Sequence, residues 1–93
     1  MDKTIKQKWI KALRSGRYKQ GYGQLQTRDG KNCCLGVLCR VLRQPFPKHS
    51  ISLPHGLGFE LEIKQYPLMN MNDGVGTRKH SFKEIADYIE KNL

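Results

Sequence analysis

Leu57-Gly58-Phe59-Glu60-Leu61-Glu62-Ile63-Lys64 alternates apolar with polar or small residues at a period of two. An extended chain points successive side chains to opposite sides, so this run predicts a strand buried on one face. Pro67 follows closely and, lacking the N–H that a ladder needs, marks its end. Upstream, Arg28-Asp29-Gly30-Lys31 separates Gln24-Leu25-Gln26-Thr27 from the run that starts at Asn32. Asp-Gly favours the tight turn of a two-stranded hairpin, because glycine accepts positive φ at little cost. The expected fold is therefore α+β: a small single domain over residues 1–93, about three helices with a short β-hairpin and one further strand.

The helices are read from spacing. Ile5, Trp9, Ala12 and Leu13 make one apolar stripe over residues 2–15, with Asp2 or Thr4 to cap it and Gly16 to close it. Cys33-Cys34-Leu35-Gly36-Val37-Leu38-Cys39-Arg40-Val41-Leu42 is the most apolar stretch and predicts a nearly all-round buried helix capped by Asn32. Gly36 within it costs helix propensity and points to a close crossing with another element. Pro45-Phe46-Pro47 ends the helix. Met69 to Gly76 reads as a polar turn, and Ser81-Phe82-Lys83-Glu84 as a capping box opening a final helix with Phe82, Ile85, Ala86 and Ile89 inward. The expected core is Trp9, Leu13, Leu35, Leu38, Leu42, Phe59, Leu61, Phe82, Ile85 and Ile89.

At 93 residues the chain supports one modest core and excludes a two-domain enzyme with a deep cleft. No apolar run is long enough for a membrane span, and the lysine-rich start is unlike a secretory signal. These features predict a soluble protein with no membrane partner. Three cysteines within seven residues, two of them adjacent, do not resemble a disulfide framework and read as reduced thiols. Charge is uneven: residues 1–48 carry twelve basic and two acidic side chains, a net of +10, while residues 49–93 carry five and six, a net of −1. The first half should attract polyanions or an acidic protein face, with marked salt dependence.

Chemistry-bearing motifs are few. Arg17-Tyr18-Lys19-Gln20-Gly21-Tyr22-Gly23 is a basic, glycine-punctuated loop that could hold phosphate through Lys19 and backbone amides, with Tyr18 or Tyr22 stacking. Cys33 and Cys34 would sit in the first turn of their helix, where the macrodipole, Lys31 and Arg28 favour thiolate. A base would have to be His49, His55 or His80, none at a diagnostic spacing. Three thiols do not match the zinc pattern C-x₂-C, and Asn70, Asn72 and Asp73 lack an EF-hand's spacing. No catalytic residue, metal or cofactor is therefore assigned. The candidate partner or nucleic-acid contacts are Lys6, Arg14, Arg17, Tyr18, Lys19, Tyr22, Arg28 and Lys31.

Three blocks carry a resemblance: Trp9-Ile10-Lys11-Ala12-Leu13-Arg14-Ser15-Gly16-Arg17-Tyr18, Cys33-Cys34-Leu35-Gly36-Val37-Leu38-Cys39, and Met71-Asn72-Asp73-Gly74 with Ser81-Phe82-Lys83-Glu84-Ile85-Ala86-Asp87-Tyr88-Ile89-Glu90. Together they resemble a family of small accessory proteins encoded by tailed bacteriophages. The segment from about 45 to 66 is the least similar. The resemblance implies an anti-defence protein, for example a CRISPR inhibitor, or a host-takeover protein. It would bind stoichiometrically in the host cell cytoplasm to a host or defence-system protein or to nucleic acid, RNA or DNA. The alternatives are a sponge for a small anionic nucleotide signal and a thiol-dependent enzyme using Cys33 or Cys34. The oligomeric state is left open.

Overall fold

The computed structural model describes residues 1–43, 45–54 and 59–93, with the backbone alone at residues 59 and 60. Asp2 accepts the Ile5 amide through Oδ1 at 2.9 Å and starts α1, Lys3–Arg14, whose buried side is Trp9, Ile10 and Leu13. Helix α2 spans Cys34–Leu42 and buries every residue from Cys34 to Cys39. Its cap is Cys33, not Asn32: the Cys33 sulfur accepts the Gly36 amide at 3.4 Å. Helix α3 is Phe59–Asp73, and α4 is Phe82–Asn92, opened by the reciprocal Ser81–Glu84 capping box. α1 packs on α4 and α2, and α3 packs on α2 and α4.

Among the described residues there are four helices and no strand, so the α+β expectation is overturned: the domain is all-α. The residues read as a strand begin at 57 and 58, which lie outside the described residues, as does His55, and continue into α3. Leu61 is buried while Ile63 is 52% exposed, which breaks the period of two. The buried positions of α3 are Leu61, Gln65, Leu68 and Asn72, spaced by four, three and four residues as a helix requires. Two of them are polar, and that hid the stripe. Pro67 sits inside α3 with its ring exposed, giving up one backbone bond toward Ile63 without ending the helix. Met69–Asp73, expected as turn, is the last part of that helix.

The hairpin fails differently. Its turn is present: the Gly30 amide donates to Thr27 O at 3.0 Å and the Thr27 amide to Lys31 O at 2.8 Å. Beyond it only isolated bridges form, Gln26 with Asn32 and Gln20 with Asn32. The helix starts two residues after Asn32, leaving no length for a ladder. The Leu25 and Gln26 amides turn instead to Ser50 O and Lys48 O, at 2.8 and 2.7 Å.

Two residues hold the loops to the helices. Gly36 lies so close to the Leu25 backbone that a Cβ there would come within 1.8 Å of Leu25 O, which answers the expected close crossing. Asn72 is fully buried: its Oδ1 accepts from Gln20 Nε2 at 2.9 Å and from the Cys34 amide at 3.1 Å, and its Nδ2 donates to Gly21 O and Asp73 Oδ1, each at 2.9 Å. Trp9 Nε1 donates to Cys34 O at 2.9 Å, tying α1 to the first turn of α2. Of the expected core, Trp9, Leu13, Leu35, Leu38, Leu61, Phe82, Ile85 and Ile89 are buried, Leu42 is half-buried, and the side chain of Phe59 lies outside the description.

Candidate functional site

The end of α1, the loop that follows it and the outer side of α2 enclose a groove of about 350 Å³ bordered by Lys8, Lys11, Arg17, Arg40 and Arg43, with Tyr18 and Val41 between them. Lys8 and Lys11 reach it from one face of α1; Arg40 and Arg43 reach it from the last turn of α2. Arg43 closes that helix in the left-handed region at φ 55°. A second groove of about 630 Å³ shares Arg17, Tyr18 and Arg40 with the first and adds Lys19, Lys31, Asp29 and Asn32. A third meets the second at Gly30 and carries Arg28, Lys48 and His49. Among the described residues the result is one basic track with nine Lys and Arg side chains and a single carboxylate, Asp29.

Asp29 is not free to neutralise the track. Its carboxylate takes a hydrogen bond from the Thr27 hydroxyl, which holds it below the ordinary carboxylate range, and it faces Lys31 Nζ at 3.6 Å. Among the described residues no carboxylate lies within ion-pair distance of Lys8, Lys11, Arg17, Lys19, Arg40 or Arg43. The Arg40 guanidinium stands 5.7 Å from the centroid of the Tyr18 ring, so a cation and a π surface occur as one unit where the first two grooves meet. Asn32 lines the second groove at 2% exposure. Its Nδ2 makes only a 3.4 Å contact with Gly30 O, and its Oδ1 accepts from no donor among the described residues.

The contacts read from sequence divide. Arg17, Tyr18, Lys19 and Lys31 come together around the middle groove, and Arg28 lies across Gly30 from them. Lys6 and Arg14 instead serve the fold. Lys6 Nζ donates to Glu90 O at 3.1 Å, at the carboxyl end of α4, while Arg14 pairs with Asp87 at 2.7 Å and Glu90 at 3.3 Å. Those two carboxylates hold the Arg14 guanidinium firmly protonated. Tyr22 stands outside the track, under Lys79 Nζ at 4.0 Å from its ring centroid. The loop amides expected to cradle phosphate are already used: Gly21 N donates to Asn32 O at 2.8 Å and Gly23 N to Asp73 Oδ1 at 3.1 Å. Lys8, Lys11, Arg40, Arg43 and Lys48 were missed. For the first four the signal was in the sequence, as cations three residues apart on helices.

The cysteines are buried and free. Burial pushes the Cys33 thiol up, Cys34 well up and Cys39 to about 11. For Cys33 and Cys34 this is opposite to the shift read from their place at the start of a helix, because desolvation of a thiolate outweighs the helix's partial charge here. Cys34 Sγ also lies 3.6 Å from Leu68 O. Among the described residues, no three His, Cys, Asp or Glu side chains are grouped to hold a metal ion, and no helix is long and apolar enough to cross a membrane.

The model of a family described as a domain of unknown function, DUF8296, matches residues 1–52. The chain belongs to the DUF8296 family. The match spans α1, the loop, the turn and α2, and thus all nine track cations. No curated protein and no solved structure matches the chain.

Proposed function

We propose that the protein is a phage-encoded accessory protein acting in the host cytoplasm by stoichiometric binding. Its basic track would engage nucleic acid, either free or held by a host or defence complex such as a CRISPR effector. The observation that carries this reading is the track itself: among the described residues, nine cations on adjoining concave surfaces with one carboxylate, already tied to its own turn. Such an arrangement raises the local concentration of phosphate and suits a polyanion that crosses several grooves. The four-helix core supplies rigid support for it, since α1 and α2 pack directly on each other. The phage origin rests on the resemblance in the three sequence blocks.

The test is the double change Arg17→Ala, Lys19→Ala, with affinity for a fluorescent oligonucleotide measured by anisotropy at low salt. Both side chains are exposed, so affinity should fall by at least about tenfold, the yield of two lost phosphate contacts at low salt, while the Tm stays within about 2 °C. Unchanged affinity would remove the middle groove from the interface.

A further inference from the structure

We propose that the first groove, where α1 meets the end of α2, seats the phosphorylated end of a nucleic-acid strand, and that Arg43 is held there to grip it. The inference rests on the polyanion reading above and deepens it. Five exposed cations, Lys8, Lys11, Arg17, Arg40 and Arg43, border a space of about 350 Å³, and none has a carboxylate within ion-pair distance among the described residues. Arg43 stands there against its backbone preference. It closes α2 at φ 55°, in the left-handed region where a Cβ crowds the main chain, and every other described residue with a positive φ is glycine. A helix end that glycine would close without strain is closed instead by a residue whose guanidinium belongs to the groove's border, and such strain persists where the side chain has a task.

The first groove is also where the track stops toward α4. Lys11 and Ser15 border both it and the next depression along α1, whose remaining cation, Arg14, is held by Asp87 and Glu90. Those carboxylates are 67% and 54% exposed, so a phosphate passing Lys11 meets negative charge. In the other direction the cations continue: Arg17, Tyr18 and Arg40 are shared with the middle groove, which adds Lys19 and Lys31. A strand that follows the cations toward α4 therefore ends at the first groove. The charge gathered there exceeds what an internal link requires. A phosphodiester carries a single negative charge, whereas a terminal phosphate monoester carries about −1.5 to −2 at pH 7 and has three oxygens free to accept. The Tyr18–Arg40 unit lies where the two grooves meet, in position for the base next to that phosphate. A free mononucleotide brings the same phosphate but leaves Lys19 and Lys31 unanswered, which favours a strand.

The experiment is competition against a fluorescent strand at low salt, with unlabelled 12-nucleotide single strands that differ only at their ends: hydroxyls at both, a 5′-phosphate, or a 3′-phosphate. AMP serves as the free nucleotide. The expected result is that a phosphorylated strand binds at least about tenfold tighter than the hydroxyl strand, with AMP competing only at far higher concentration. Arg43→Gly suits the left-handed helix end, so its Tm should hold or rise while the preference for the phosphorylated end falls below about threefold. Arg28→Ala, in the third groove, should weaken all three strands alike and keep the preference. In the unaltered protein, a phosphorus NMR titration should show the second ionisation of the terminal phosphate, at about 6 when free, lowered by at least about one pH unit in the complex, which keeps the test independent of how any variant folds. Equal affinities for the three strands, a preference that survives in Arg43→Gly, or an unmoved phosphate midpoint would overturn the inference and leave the polyanion reading standing. AMP binding as tightly as the phosphorylated strand would overturn the assignment to a strand. Binding of none of them at low salt would overturn the polyanion reading itself.

Discussion

Asn72 and Gly36 carry more of this fold than any charged residue, for reasons that a side-chain inventory hides. Asn72 is fully buried and uses its amide to serve two loop residues, the start of α2 and Asp73. Asn72→Leu keeps the volume and strands the Gly21 carbonyl and the Cys34 amide in the interior. We expect a loss of about 2–4 kcal/mol, measured by urea unfolding. Gly36→Ala places a methyl group where Leu25 O already sits, and no rotamer can relieve it because the obstacle is backbone. The expected cost is about 3 kcal/mol, a Tm lower by roughly 12–24 °C. The cysteines give a third outcome at this scale. With all three thiols buried and pushed up, Cys39 to about 11, a thiol reagent at pH 8 should label the folded protein far more slowly than the unfolded chain. Fast labelling of a single site would restore the nucleophile reading of Cys33 or Cys34.

At the scale of elements, α4 illustrates what local sequence decides. The Ser81–Glu84 box is contained within four residues and forms as read, with Arg78 added from just upstream. The Arg78 guanidinium, helped by the Ser81 amide, holds the Glu84 carboxyl at about 2, against an ordinary value of 4.5. A carboxyl depressed by folding stabilises above its unfolded value, and that contribution is lost as pH falls from about 4.5 toward 2. A carbon-detected NMR titration should place the Glu84 midpoint near 2, and Arg78→Ala should move it back up; a midpoint above 4 in the unaltered protein would refute the assignment. Ser81→Ala should cost about 1 kcal/mol. Helices α1, α2 and α4 were legible because their stripes are apolar and their caps local. Helix α3 was not, because Gln65 and Asn72 occupy its buried stripe while Ile63 and Tyr66 face outward. The turn at Thr27–Gly30 was legible too, but a hairpin also needs partners along its strands, and those amides went to Lys48 and Ser50. The same limit applied to the site. Arg17, Lys19 and Lys31 flank neighbouring loop segments and could be grouped, whereas Lys6 and Arg14 could not be set aside without knowing that Asp87 and Glu90 sit across from α1.

For the whole molecule, the uneven charge makes salt act in two directions. The chain carries a net charge of +9, with nine cations on one track, so the folded state bears self-repulsion that mobile ions relieve. Against this stand a few exposed ion pairs, such as Arg14 with Asp87 and Arg78 with Glu84, which salt weakens. Exposed pairs contribute little, and the Debye length is about 10 Å at 0.1 M, so relief of repulsion across the track should win. We therefore expect the Tm to rise by a few degrees between about 20 and 200 mM NaCl. Binding should move the opposite way. If the track neutralises about five phosphates of a bound single strand, the logarithm of affinity should fall with the logarithm of salt at a slope of about −3.5. Arg17→Ala with Arg40→Ala should make that slope shallower by about 1.4, as two lost phosphate contacts require. Lys6→Ala with Arg14→Ala should leave the slope alone, because those two charges are spent on α4. The two double variants remove the same formal charge. If both shifted the slope equally, net charge rather than the track would govern binding, and the interface assigned to α1, the loop and α2 would be wrong.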